Sequence, residues 1–135
     1  MTIDEQQRRT LSLRRLNRAK QHLKSARDLL ANEDFADSVS RSYYAIFQAA
    51  RALLAVEGME SRKHSGVVSL FNRHFVKTGN IDKRLGAILK DARRSREMAD
   101  YSDLAEFAHE DAEGQLHDAE AFVQEVEKFL DETNR

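Results

Sequence analysis

The sequence predicts an all-α protein, an antiparallel up-down bundle of four to five helices with short connections. Three observations carry this. The 135 residues contain no Pro and only five Gly, so little interrupts a helix. Apolar residues recur at spacings of three and four along five segments, as on a helix with one buried face. No segment shows the sustained apolar–polar alternation of a half-buried strand, and no Asn-Gly or Asp-Gly hairpin turn occurs.

The first segment spans about residues 12–31, with Leu16, Ala19, Leu23, Ala26 and Leu30 on one stripe. Asn32 is a stop signal, and Asp34 or Asp37 can cap the next helix. That helix, about 36–57, turns Ala36, Val39, Tyr43, Ile46, Phe47, Ala50 and Leu53 inward, and Gly58 follows at a helix-ending position. A third, about 65–78, carries Val67, Val68, Phe71 and Phe75 and ends at Lys77-Thr78-Gly79. A fourth, about 82–96, carries Leu85, Ile88, Leu89 and Ala92. Residues 98–107 read as a turn with a short helical piece. The last helix, about 109–131, buries Ala112, Leu116, Ala119, Val123, Val126 and Leu130.

Length and composition fit a single domain over residues 1–135, with 1–11 as a frayed N-terminal arm. At 41% apolar and 33% charged residues, the chain can bury a core. The absence of Cys excludes disulfides, thiolate metal sites and a cysteine nucleophile, and fits a reducing cytoplasm. No apolar run approaches the ~20 residues that span a bilayer, so no membrane role is expected. The net charge of -1 hides an asymmetry: +5 over residues 1–30, -3 over 31–60, +8 over 61–96 and -11 over 97–135. Basic and acidic helices lying side by side would explain it. So would a basic groove for phosphate beside an acidic wall, since Lys and Arg neutralise phosphate and release counterions.

Metal chemistry finds little support. A di-iron bundle needs two Glu-x-x-His motifs, and Glu106-Phe107-Ala108-His109 is a single one. His109, Glu113 and His117 drift to roughly 60°, 100° and 140° from the apolar stripe, toward solvent. No phosphate loop or nucleophile elbow occurs, and no cofactor is expected. Arg41, Tyr44, Gln48 and Arg51 share a second face of the second helix, about 100° to 180° from its stripe. Such a face can form a subunit interface, or stack on a base and hold phosphate. Arg62-Lys63-His64 precedes the third helix, where two cations and an imidazole form a solvated turn or an anion site. Arg96 continues the stripe of Leu85, Leu89 and Ala92, so a helix reaching it would point it inward. A buried Arg needs a partner, and Asp100 at i+4 or Glu97 is nearest.

The run Ser38-Val39-Ser40-Arg41-Ser42-Tyr43-Tyr44-Ala45-Ile46-Phe47-Gln48-Ala49-Ala50-Arg51-Ala52-Leu53-Leu54 resembles the signature helix of the HEPN (higher eukaryotes and prokaryotes nucleotide-binding) superfamily. His64-Ser65-Gly66-Val67, the run Phe71-Asn72-Arg73-His74-Phe75-Val76-Lys77-Thr78-Gly79, and Ala99-Asp100-Tyr101 resemble its small stand-alone prokaryotic members. The resemblance covers about residues 16–130. It implies a homodimer with functional residues near the dimer cleft. It also implies either a metal-independent ribonuclease bearing Arg-x4-6-His, or a chain paired with a minimal nucleotidyltransferase as toxin and antitoxin.

This chain departs from that motif. Counted from Arg94, Ala99 stands at the histidine position and Tyr101 still matches; counted from Arg96, Tyr101 stands there. From Arg93 the slots hold Met98, Ala99 and Asp100. The expected function is therefore a HEPN-like module that binds nucleotide, RNA or a partner nucleotidyltransferase without cleaving RNA. The candidate binding residues are Arg41, Tyr44, Arg51, His64, Arg94, Arg96, Asp100 and Tyr101. The alternative is an endoribonuclease toxin using Arg94 or Arg96, with His64 as a base from outside the motif and Tyr101 beside them. The binding reading expects a cleft whose cations grip phosphate with no proton shuttle nearby.

Overall fold

A computed structural model describes residues 4–133 as five helices: α1 (Glu5–Ala31), α2 (Phe35–Val56), α3 (His64–Phe71), α4 (Lys83–Tyr101) and α5 (His109–Thr133). No strand occurs among the described residues. The architecture is the expected all-α bundle. α2 packs against α1, α4 and α5, and α3 closes one end. The apolar run from Ala45 to Ala55 leaves α2 buried on most sides. Burying a large apolar side chain contributes ~1.5–3 kcal/mol, so this helix anchors the bundle. Ser38 and Ser42, both fully buried, replace bulk where α1 crosses, and the Ser38 hydroxyl donates to Ala26 O at 2.8 Å. Ile46, Leu53, Leu54, Phe71, Leu89 and Phe122 complete the centre of the core.

Three boundaries differ from the sequence reading. α1 begins at Glu5, so residues 5–11, expected in a frayed arm, are its first turns. The cause is a capping box: Asp4 accepts from the Gln7 amide at 2.8 Å, and the Gln7 side chain accepts from the Asp4 amide at 2.9 Å. Residues 1–3 of the expected arm lie outside the described residues. The third helix does not run evenly to Thr78. It widens into a π turn over Asn72–Val76, where the Lys77 amide reaches Asn72 O at 2.8 Å. α4 continues to Tyr101, past the expected end at Arg96, and residues 102–108 are irregular. The extension puts Arg96 and Asp100 on one helix.

Gly58 ends α2 in the left-handed region, with φ +72°. A Cβ there would lie 2.8 Å from the guanidinium carbon of Arg8, the far end of a flexible side chain that can move aside, so the backbone is what disfavours a substituent. The left-handed backbone alone costs a non-glycine residue about 1–2 kcal/mol. Gly58→Ala is therefore expected to lower the unfolding free energy by that amount, read as a lower urea midpoint at unchanged slope. An unchanged midpoint would mean that Arg8 and the turn relax without cost.

Candidate functional site

Tyr43 and Tyr44 are neighbours on α2 and point about 100° apart. Tyr43 is fully buried, whereas Tyr44 sits half-buried at the helix edge. Polar side chains from three other segments gather around Tyr44. From α4, Arg96 donates through Nη2 to the Tyr44 hydroxyl at 2.8 Å, and its guanidinium carbon lies 5.4 Å from the Tyr44 ring centroid. The same guanidinium is 5.2 Å from the Tyr101 ring, so it sits between two aromatic faces. Arg96 Nε lies 2.9 Å from Asp100 Oδ2. Its N–H does not point at that oxygen, so the ion pair leaves a buried donor unspent. From α1, His22 brings its ring to 5.8 Å from Tyr44. Arg41 approaches His22 Nδ1 at 3.4 Å.

His64 opens α3 against the same helix edge. Its ring stacks on Phe47 with centroids 4.2 Å apart and on Tyr43 at 5.6 Å, and meets Tyr44 edge-on at 6.5 Å. Its Nδ1 is 2.6 Å from the Tyr43 hydroxyl. Burial, with the charges of Arg96, Arg93 and Arg51, holds the imidazole below its ordinary pKa. Burial likewise pushes the Tyr43 hydroxyl well above the usual phenol range. The pair is thus a neutral imidazole against a phenol. His22 is also held down, by burial and then by Arg41 and Arg18.

Arg51 lies over Phe47 at 5.7 Å and pairs with Glu60 Oε1 at 3.1 Å. Glu60 Oε2 takes Nη2 of Arg15 at 2.6 Å, while Arg15 Nη1 donates to Arg51 O at 3.2 Å. Arg15 is only 8% exposed, so Glu60 is the partner this buried cation requires. The triad ties the segment leading into His64 to α1 and α2.

The structure thus brings Tyr44, His64, Arg96, Asp100 and Tyr101 together and sets Arg41 and Arg51 at the flanks. Arg94 does not join them. It is exposed and lines a shallow depression with Val68, Lys90, Arg93 and Glu97, because two helical steps turn it about 200° from the face that Arg96 occupies. The expectation of a cleft remote from any imidazole is also corrected, since His64 and His22 both border Tyr44. Sequence reasoning missed His22, Arg15 and Glu60. His22 had one available signal, its place beside Leu23 at the edge of the apolar stripe. The Arg15–Glu60 pair spans 45 positions and had none.

The molecule is thus an all-α helical-bundle domain with a guanidinium between aromatic rings and imidazoles beside it. The model of the HEPN domain family matches residues 12–129, and the chain belongs to that family. It is similar to a UPF0332 protein of Thermotoga maritima, 40% identical over 118 residues that cover 87% of this chain and 89% of the relative. It is also similar to a Methanocaldococcus jannaschii protein named "Putative toxin MJ0605", 37% identical over 114 residues, 84% of each chain. A UPF0332 protein of Gloeobacter violaceus is 38% identical over 117 residues, 85% of this chain and 92% of the relative.

The ion triad supplies a pH signature. Burial pushes the Glu60 carboxyl up, but the hydrogen bonds and charges of Arg15 and Arg51 outweigh it and hold the group below its ordinary 4.5. A carboxyl lowered on folding stabilises the fold above the unfolded value, and the contribution fades as pH falls through the folded one. Glu60→Gln should therefore cost about 1 kcal/mol near neutrality, modest because half the carboxylate meets water. The gap to wild type should close as denaturant melts move below pH 4.5. A gap independent of pH would show that packing, not charge, ties this segment down.

Proposed function

We propose that this chain is a HEPN-type binding module, homodimeric and cytoplasmic, that holds a nucleotide or RNA, or docks a partner minimal nucleotidyltransferase in a toxin–antitoxin setting, without cleaving RNA. The observation that carries this reading is Arg96 held between the Tyr44 and Tyr101 rings. A phosphate can pair with the guanidinium in charge-assisted hydrogen bonds, while a base stacks on the exposed Tyr101 or on Tyr44. Asp100 holds the guanidinium in place from one side. The relatives' toxin names support the toxin–antitoxin setting. Met98, Tyr101 and Leu104, exposed around the end of α4, offer apolar surface for a second copy beside the cluster.

The second reading, ribonuclease, is favoured by one observation: His64 and Arg96 border the same tyrosine ring. The two readings demand opposite tautomers of His64. With Tyr43 donating to Nδ1, Nε2 carries a hydrogen and can only donate, to a phosphate for example. For His64 to act as a general base, Nδ1 must donate to Tyr43, leaving Nε2 free. The binding reading takes the first arrangement.

Calorimetric titration with AMP, ATP and a short RNA is expected to show binding that Arg96→Ala weakens at least tenfold. Loss of one charged hydrogen bond is worth ~1.5–3 kcal/mol, and each 1.4 is about a factor of ten. Arg94→Ala should change little. Because bound phosphate favours the imidazolium and the free ring is held below the ordinary histidine value of 6.5, affinity should rise as pH drops below 6.5, and His64→Phe should flatten that rise. Bulk RNA incubated with pure protein should stay intact. Cleavage lost in both His64→Ala and Arg96→Ala would install the ribonuclease instead, and no binding to nucleotides, RNA or a cognate nucleotidyltransferase would sink the binding reading.

A further inference from the structure

A cavity of about 450 Å³ lies between α1 and α2, away from Arg96, Asp100 and Tyr101. Arg14, Arg15, Arg18 and Arg51 line it together with Gln21 and Gln48, and no acidic residue does. Glu60 accounts for Arg15 and for part of Arg51. Among the described residues, Arg14 and Arg18 make no ion pair. Arg51 Nε and Gln48 Oε1 are buried without a hydrogen-bond partner. The lining therefore holds uncompensated positive charge, at a cost to the fold that an anion would relieve.

The groove has a direction. Arg14, Arg18 and His22 follow at i, i+4 and i+8 on α1, and Arg51, Gln48 and Tyr44 run alongside on α2. Arg18 acts electrostatically on His22, whose ring meets Tyr44. From Arg14 to His22 the row extends about 12 Å, longer than one phosphate can span. We propose that this groove is a second anion site, a track for the phosphate backbone of single-stranded RNA or DNA that leads into the cluster around Tyr44. The inference adds to the binding reading the groove along which a strand would lie, and rests on that reading for the end at Tyr44. Its chemistry favours nucleic acid over an acidic protein segment. The cations are all arginines, which pair with phosphate bidentately. Amides lie between them, a stacking ring closes one end, and Leu11 is the one apolar side chain in the lining. A protein interface would centre on aliphatic and aromatic anchors.

The test is anisotropy of a fluorescein-labelled twelve-residue oligouridine over a salt series, with AMP titrated separately. For single strands the slope of log affinity against log salt is about 0.7 per neutralised phosphate. The double variant Arg14→Ala/Arg18→Ala should lose about 1.4 of that slope. Raising salt from roughly 0.05 to 0.2 M should then cost the wild type about sevenfold more affinity than the variant. Arg14→Lys/Arg18→Lys should keep the slope, which separates charge from loss of shape. AMP, too short to reach both places, should respond far more to Arg96→Ala than to the double variant. An oligouridine slope unchanged in the double variant, with AMP binding still lost in Arg96→Ala, overturns the track and leaves the nucleotide reading standing. A wild type that binds AMP but not oligouridine does the same. If sedimentation shows the double variant monomeric and the wild type dimeric at equal salt slopes, the groove is a subunit contact and the proposal falls. Failure of both AMP and oligouridine to bind wild type removes the binding reading as well.

Discussion

Two adjacent tyrosines on a helix that must be buried nearly all round set the geometry of this molecule. α2 cannot hide both rings in one direction, because neighbours on a helix diverge by about 100°. Tyr43 goes to the core and Tyr44 to the rim. The buried phenol still requires a hydrogen-bond partner, and His64 supplies it from the start of α3. The half-buried phenol requires one as well, and Arg96 supplies it from α4. Satisfying one core hydroxyl and one at the rim thus brings an imidazole and a guanidinium, distant in sequence, to the edge of one ring. The candidate cluster follows from the hydrogen-bonding needs of these two phenols.

α1 shows how the charge asymmetry resolves. On one side its cations face the acidic α5, where Lys20 pairs with Glu127 and Arg27 approaches Glu120 at 3.6 Å. On the other side Arg14 and Arg18 face α2, whose exposed edge offers Gln48 and Arg51 rather than carboxylates. Basic and acidic helices side by side, and a basic groove, are therefore both present, divided between two faces of one helix. Exposed ion pairs of the first kind are worth little individually. The unpaired cations of the second kind repel one another, and a fold gains nothing from gathering them.

The helical stripes were legible because burial imposes a period that the residues themselves carry. Leu16, Ala19, Leu23 and Ala26 are buried, as are Leu85, Leu89 and Ala92. The inward bearing of Arg96 followed from the same stripe, and both glycines read as helix ends, Gly58 and Gly79, adopt positive φ. The start of α1 was legible too, in Asp4 and Gln7, but polar capping residues leave no apolar signal and the stripe begins later. The π turn was not legible, since one extra residue in a short helix leaves the spacing of Phe71 and Phe75 unchanged. Nor was the partner of Arg15. A buried cation can be paired from any segment, and Glu60 reaches it only because the chain folds back after Gly58.

The missing histidine gains meaning from which register of the motif the fold could use. Counted from Arg94, the histidine position is Ala99, but Arg94 points toward Val68 and Lys90 and away from Tyr44. Counted from Arg96, the position is Tyr101, and these two side chains do meet, at 5.2 Å. Geometry therefore selects the register in which a phenol replaces the imidazole, and a phenol is a poor base at neutral pH. The imidazole that does stand near is His64, and Phe47 and Tyr43 hold it by stacking and by its Nδ1. These contacts fix the ring's orientation, so what it can do turns on which tautomer Nε2 presents. What stands beside Tyr44 is a guanidinium between two aromatic rings and an imidazole whose Nδ1 is engaged by Tyr43.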